Sequence, residues 1–301
     1  MSNAQASRFV AIGECMVELS VAGDGLYRQG FAGDTFNTLW HFARRAPAGW
    51  RGAYLTGLGT DRLSEEMLDF FTAAGIGTEM VRRIPNASPG LYMIHLADGE
   101  RSFSYWREMA AARRLAEDEA HLQEVFAAGD AFYFSGITLA ILPAEDRARL
   151  LAHLGAAKKA GKRVAFDPNV RPRLWPDLET ARRAVEAAAR VSTHCLPSFD
   201  DERATFGDEN SRATAARYRA LGVAEVVVKD GGSAALVSWE GGREQVPAIP
   251  PAGIVDTTGA GDSFNAAYLA ARLGGAGPVA ATIAGHRLAS HVVGGHGALV
   301  A

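Results

Sequence analysis

A chain of 301 residues buries roughly three quarters of the surface it would expose unfolded, so it needs neither a disulfide framework nor a structural metal to hold together. Lys plus Arg total 31 against 34 Asp plus Glu, a net charge of −3, which argues against a dedicated nucleic-acid binder with its basic excess. Hydrophobic residues make up 48% and charged residues 22%, the ordinary balance of a globular protein.

Short apolar runs bounded by Gly or polar turns predict buried strands over 9–13, 54–57, 131–135, 164–167 and 226–229. Helical spacing between them predicts helices over 37–45, 64–74, 144–160, 178–189, 212–221, 263–273 and 278–293, with Ser64 as the N-cap of the second. Strand and helix alternate, which predicts an α/β core with a mostly parallel sheet flanked by helices. Two stretches break the rhythm. Residues 16–33 alternate in polarity and then turn through glycines, and 88–106 reads as a β-hairpin turning at Ala97-Asp98-Gly99-Glu100. They predict a small β-unit, over about 15–33 and 88–108, inserted in one domain spanning 1–301. No internal repeat or Pro-rich linker suggests a second domain.

Cys15 and Cys195 lie far apart with no CxxC, as in a reduced protein. The first eight residues lack the basic and apolar regions of a secretion signal. No apolar run reaches the ~18–20 residues of a membrane span. A cytoplasmic location without membrane or nucleic-acid partners is therefore expected. The eight His show no paired ligand spacing, and no protein metal site is expected.

The most informative segment is Asp256-Thr257-Thr258-Gly259-Ala260-Gly261-Asp262, which runs into a helix. Small residues let backbone amides approach an anion, and a helix N-terminus adds free N–H donors and partial positive charge. Together they form a phosphate cradle. Taken alone, Asp262 reads as a carboxylate capping the helix. Beside an anion hole, an acid makes better sense as the group that takes a proton from a hydroxyl attacking a phosphate. No Lys-Ser/Thr follows, so this is not a Walker A loop. Gly57-Leu58-Gly59 lacks the third glycine of a dinucleotide-binding loop.

This segment resembles the second signature of the ribokinase-like (PfkB) carbohydrate kinases, Asp-Thr-x-Gly-Ala-Gly-Asp, without a break. The resemblance implies a ribokinase-like core with a β lid. It makes Asp262 the catalytic base and Gly259, Ala260 and Gly261 the anion hole. It extends over nearly the whole chain. Ala32-Gly33-Asp34-Thr35-Phe36-Asn37 looks like the family's sugar-binding loop, with Ala32 in place of the first glycine. It assigns Gly33, Asp34 and Asn37 to the sugar, and Asp256 is placed on the same side. Asp167-Pro168-Asn169-Val170-Arg171 matches the family's Asp-x-Asn-x-Arg and assigns Asn169 and Arg171 to the substrate or the transferring phosphate. As plain residues, Asn169 also reads as a turn former and Arg171 as a loop arginine.

The hairpin bears on which sugar. Tyr92 and the later Tyr105-Trp106-Arg107 resemble the lid of the 2-keto-3-deoxygluconate kinases in that family. The resemblance implies that Tyr92, Tyr105 and Arg107 hold a sugar acid. A planar arginine fork suits a carboxylate, and an aromatic ring can cover a sugar face. The competing reading makes the aromatics cross-strand packing residues and Arg107 a solvated charge. Alternation turns Trp106 away from Tyr105 and Arg107, so Trp106 is expected to be structural.

On the nucleotide side, Lys229-Asp230-Gly231-Gly232 looks like the family's Lys-x-Gly loop, with Ala234 where a further glycine is usual. This implies ATP contacts at Lys229, Gly231 and Gly232, and at Ala289 in the stretch resembling the adenine wall. Ser198 and Asp201 stand where the family carries Asn-x-x-Glu. Mg²⁺ is then expected mainly on nucleotide phosphates and water, with a monovalent cation left open. The expected function is ATP-dependent phosphorylation of 2-keto-3-deoxygluconate. A neutral-sugar kinase, an inactive sugar-binding module and a dinucleotide enzyme are the rivals. The open β-face of the lid invites association with a second copy.

Overall fold

The computed structural model describes residues 6–23, 25–97 and 100–301. Asp98 and Gly99 of the expected hairpin turn lie outside them. The chain opens on β1 (Ser7–Ile12). It leaves for an antiparallel pair, β2 (Met16–Gly23) and β3 (Leu26–Ala32), and returns at α1 (Asp34–Ala43). Next come β4 (Trp50–Leu55), β5 (Gly57–Leu58), α2 (Arg62–Ala73) and β6 (Arg82–Arg83). The second excursion is β7 (Leu91–Ala97) and β8 (Glu100–Trp106). Then follow α3 (Glu119–Ala128), β9 (Ala131–Ser135), α4 (Gly136–Ile141), α5 (Ala144–Lys159), β10 (Arg163–Asp167), α6 (Leu178–Val191), β11 (His194–Cys195), α7 (Phe199–Phe206) and α8 (Ser211–Ala220). The chain closes with β12 (Glu225–Val228), β13 (Ala235–Trp239), β14 (Gly242–Val246), α9 (Ala260–Leu273) and α10 (Pro278–Val292).

The main sheet has the order β14-β13-β12-β11-β10-β9-β1-β4. Its strands from β4 to β12 pair in parallel, and β13 and β14 add an antiparallel edge. Alternate residues of a strand serve opposite faces. Phe9 and Ala11 of β1 join Tyr133 and Ala165 in one apolar layer, while Val10 and Ile12 join Phe132, Phe134 and Phe166 in the other. Helices cover both layers, which is why the strands read as continuous apolar runs. The two excursions meet in a second sheet of order β3-β2-β7-β8, with β2 and β7 parallel.

The expected elements are present, with shifted ends. Ser64 is not a cap: α2 begins at Arg62, and Asp61 caps it by accepting from the Ser64 amide at 2.8 Å. Asp61 holds the N-cap position with extended backbone, three residues before that amide, where a side-chain oxygen reaches it. Helix α1 begins at Asp34 rather than residue 37, because Gly33 lets the turn close. A Cβ at Gly33 would collide with the Glu14 carbonyl oxygen, so only glycine brings this loop against the end of β1.

Strand order reverses at β1, which lies between β4 and β9. Ligands of such sheets gather beyond the carboxyl ends of the strands at that point. Four loops emerge there: Gly13-Glu14 after β1, Ser135-Gly136 after β9, and the motif segments Asp167 to Asn169 after β10 and Lys229 after β12.

Candidate active site

The site is built on the start of α9. Gly259 caps the helix in the left-handed region, with φ of 76°. A Cβ there would stand 2.6 Å from the Ala298 Cβ, so glycine is required twice over. The first-turn amides of a helix have no intrahelical acceptor and face an anion with partial positive charge. The Ala260 amide reaches back to the Thr257 carbonyl at 3.3 Å, which tightens the turn. Lys229 Nζ lies 3.7 Å from where a Gly261 Cβ would be, so a cation stands beside the cradle.

Asp262 sits in the first turn of α9. Its Oδ2 accepts from Asn37 Nδ2 at 2.8 Å, and its carbonyl accepts from Thr38 Oγ1 at 3.2 Å. Helix α1 therefore holds the helix that carries the acid. Burial above all, with nearby Asp34 and Asp167, pushes the Asp262 carboxyl up to about 7 against the opposing pull of Asn37 and Lys229. An acid poised there can take a proton near neutral pH.

The sugar-side motif converges on the same place. Asn37 is buried and its Oδ1 accepts from the Gly33 amide at 3.3 Å. Asp34 Oδ2 accepts from Asn169 Nδ2 at 2.8 Å, which joins the loop after β10 to the start of α1. Asn169 adopts φ of 34°, and its amide donates to Asp167 Oδ1 at 3.2 Å. Arg171 lies farther out. Its side chain is 51% exposed and reaches Asp201 at 3.5 Å.

The second sheet supplies the hairpin residues. Tyr92 pairs with Tyr105 across β7 and β8, their rings 6.0 Å apart. The Tyr92 hydroxyl donates to the Glu18 carboxylate, and Tyr105 is 51% exposed. Trp106 departs from expectation: it is 58% exposed, although its cross-strand partner Leu91 packs against the core layer. Arg107 is not a solvated charge. Its guanidinium pairs with Glu14, and the two side chains are 11% and 1% exposed. Burial pushes the Glu14 carboxyl above its usual range, against the pull of Arg107. Glu14 Oε1 and Arg107 Nε are both buried without a hydrogen-bond partner.

Asp256 stands three residues before the cradle's first glycine. Its carboxylate accepts from the Thr258 amide and hydroxyl, at 3.0 and 2.7 Å, and from the Gly297 amide at 2.8 Å. It shapes the turn into the cradle and ties the C-terminal segment to it. On the nucleotide side, Gly231 and Gly232 are exposed, with nothing within 4 Å of a Cβ at either. Ser198 precedes α7 and bridges the Lys229 backbone. Ala289 is half-buried on α10 and packs on the layer containing Phe264 and Val246. Among the described residues no cluster of three or more His, Cys, Asp or Glu could hold a metal ion.

The sequence reading missed three contributors. Glu14 partners Arg107, and nothing in its neighbourhood marks it. Asp167 and Asn265 form a buried cluster with Lys229: Asp167 Oδ2 accepts from Lys229 Nζ at 2.9 Å and from Asn265 Nδ2 at 2.6 Å. The one available signal for Asn265 was its place three residues after Asp262, roughly one helical turn on.

Comparison with known proteins agrees with this geometry. The family model "pfkB family carbohydrate kinase" matches residues 6–300. A relative from Escherichia coli strain K12, named 2-dehydro-3-deoxygluconokinase, is 42% identical over 300 residues, covering 97% of either chain. One of the same name from Dickeya dadantii is 43% identical, covering 96% of this chain and 95% of its own. Among solved structures, a PfkB protein from Polaromonas sp. JS666 superposes with a TM-score of 0.84 at 27% identity, over 96% of this chain and 97% of that one. The fold is thus ribokinase-like, and the chain belongs to the pfkB family of carbohydrate kinases.

Proposed function

We propose that this enzyme transfers the terminal phosphoryl group of ATP to 2-keto-3-deoxygluconate, giving the 6-phosphate. The observation that carries the reading is the meeting of Asp262 and Asn37. It sets a carboxylate titrating at about 7 between the sugar-binding loop and the anion cradle. Asp262 takes the proton of the terminal hydroxyl as its oxygen attacks phosphorus. The amides of Gly259 and Gly261 stabilise charge on the transferring group, and Ala260, whose amide bonds the Thr257 carbonyl, holds the turn between them. Asp34, Asn37 and Asn169 orient the sugar through its hydroxyls, with Gly33 letting the loop approach and Asp256 shaping the turn beneath. Lys229 and the open Gly231-Gly232 turn receive the nucleotide phosphates, and Ala289 lies on the adenine side. A helix N-terminus beside a lysine fits such phosphates. Mg²⁺, when bound, neutralises phosphate charge, and Ser198 and Asp201 would stand outside its direct ligands.

The choice of a sugar acid rests on Arg107, with Tyr92 and Tyr105 beside it, and on the names of the relatives. Arg107 spends one nitrogen on Glu14 and keeps Nε unpartnered, so donors remain for a carboxylate. Arg171 serves the phosphoryl end. The β3-β2-β7-β8 sheet acts as the lid of one kinase domain, and its exposed aromatic face offers a surface to a second copy. The enzyme works in the cytoplasm. Among the described residues, no helix is long and apolar enough to cross a membrane.

A substrate panel tests the acid assignment. Arg107→Ala should raise KM for the sugar acid about tenfold or more, the scale of a lost charged hydrogen bond. KM for fructose or ribose should stay within about twofold, since no carboxylate is read there. Equal losses on acid and neutral sugars would favour a neutral-sugar kinase.

A further inference from the structure

Asp167 joins parts of the site that the motifs keep separate. It ends β10 and is 5% exposed. Its Oδ2 accepts from Lys229, at the end of β12, and from Asn265, on the same helix as Asp262. Its Oδ1 accepts from the amide of Asn169, whose side chain donates to Asp34. One carboxylate therefore touches the nucleotide-side lysine and the catalytic helix, and reaches the sugar loop through Asn169.

Lys229 has reason to need this partner. Lysine is a compact charge on a flexible stem, and fixing it costs rotamer freedom. Asp167 and Asn265, whose Oδ1 accepts from Nζ at 3.0 Å, hold the ammonium beside Gly261 with its side chain 13% exposed. A buried carboxylate with three donors, one of them a cation, is a satisfied anchor, not a vacant one. Asn265 also donates to the Tyr133 hydroxyl at 3.1 Å, which fixes its amide in turn.

Resting on the kinase reading above, we infer that Asp167 is a positioning residue: it holds Lys229 against the phosphate cradle and couples sugar binding at Asp34 and Asn169 to phosphate binding at Lys229. Sugar bound at Asp34 stiffens Asn169, hence Asp167, hence the lysine. Nucleotide binding should then tighten when the sugar is present, and by reciprocity sugar binding should tighten with nucleotide.

The test is a double-mutant cycle with a pH profile on the full chain. Asp167→Asn should raise KM for ATP about tenfold. Lys229→Met should do the same, and the double variant should be no worse than Lys229→Met, because Asp167 acts through the lysine. Asp262 is faced by Asp34 and Asn37 from α1, Tyr133 from β9, Asp167 from β10 and Lys229 from β12. Removing the Asp167 charge should therefore move the acid limb of kcat/KM to lower pH, and removing Lys229 should move it to higher pH, each by about half a unit or more. A merely structural Asp167 predicts additive losses and an unmoved limb; either result overturns the inference. If Asp167→Asn does not fold, Asp167→Glu keeps the charge and displaces it, and an unchanged KM for ATP would overturn the inference as well. A wild-type enzyme that leaves sugar acids untouched would instead defeat the functional reading, whatever the variants do.

Discussion

Asp262 draws its reactivity from its surroundings. Burial comes first in raising its carboxyl to about 7, and the neighbouring Asp34 and Asp167 add to it. On the proposed mechanism Asp262 acts as the carboxylate, so kcat should rise as pH increases through about 7 and fall away below it. A kcat profile flat from pH 5 to 9 (about two units either side of the midpoint) would contradict this. Gly259 is the second sensitive position. Gly259→Ala puts a β-carbon into the left-handed region, at about 1–2 kcal/mol, and 2.6 Å from the Ala298 Cβ. We expect a lower melting temperature and a higher KM for ATP together, read by thermal denaturation and steady-state kinetics. The single residues most legible in the sequence were those packed into continuous motifs, such as Asp34, Asn37 and Asp262. Glu14 was not, because a lone acid at a strand end carries no spacing signal. Asp167, Lys229 and Asn265 meet across 62 and 98 positions of chain, and no local pattern announces such a meeting.

Helix α9 carries Asp262 in its first turn, and its far end is anchored to the sheet. Tyr268 donates to the Glu225 carboxylate, and Arg272 Nε and Nη2 reach the same group at 2.8 and 2.9 Å. Burial alone would raise the Glu225 carboxyl; bonds from His194, Arg272 and Tyr268 outweigh it and hold the group down at about 2. The folded value lies below the ordinary 4.5, so the stabilisation is full above that value and is lost as pH falls toward 2. It is on the order of 2–3 kcal/mol. Thermal melting between pH 5 and pH 2, roughly the titration window of a depressed carboxyl, should show this loss in the wild type. Arg272→Ala should already be destabilised by about 3 kcal/mol at neutral pH and lose less on acidification; an acid sensitivity equal to the wild type's would show that Glu225 is not its source. The strong strands and long helices were readable from apolar runs and spacing. The two-residue β11 was too short to register. The antiparallel edge β13-β14 interrupts the strand–helix rhythm, and α4 and α7 are too brief for a periodic signal.

The whole molecule joins a second, four-stranded sheet to an α/β core and brings loops from four strand ends to the carboxyl edge of the main sheet. Its net charge of −3 says nothing of this, because the useful cations are placed one at a time. Arg107 is paired with Glu14, Lys229 with Asp167, and Arg171 is more exposed at the rim. The fold class followed from alternation and the site's centre from one motif; the charge pairs that tune the site depend on packing between distant segments. Phosphorylation of 2-keto-3-deoxygluconate by ATP, followed by phosphorus NMR for the wild type and Asp262→Asn, tests the proton-transfer role of this cleft. The wild type should yield the 6-phosphate, and Asp262→Asn should turn over about 10²–10⁴-fold more slowly. Near-wild-type turnover by Asp262→Asn, or a product phosphorylated elsewhere, would contradict it.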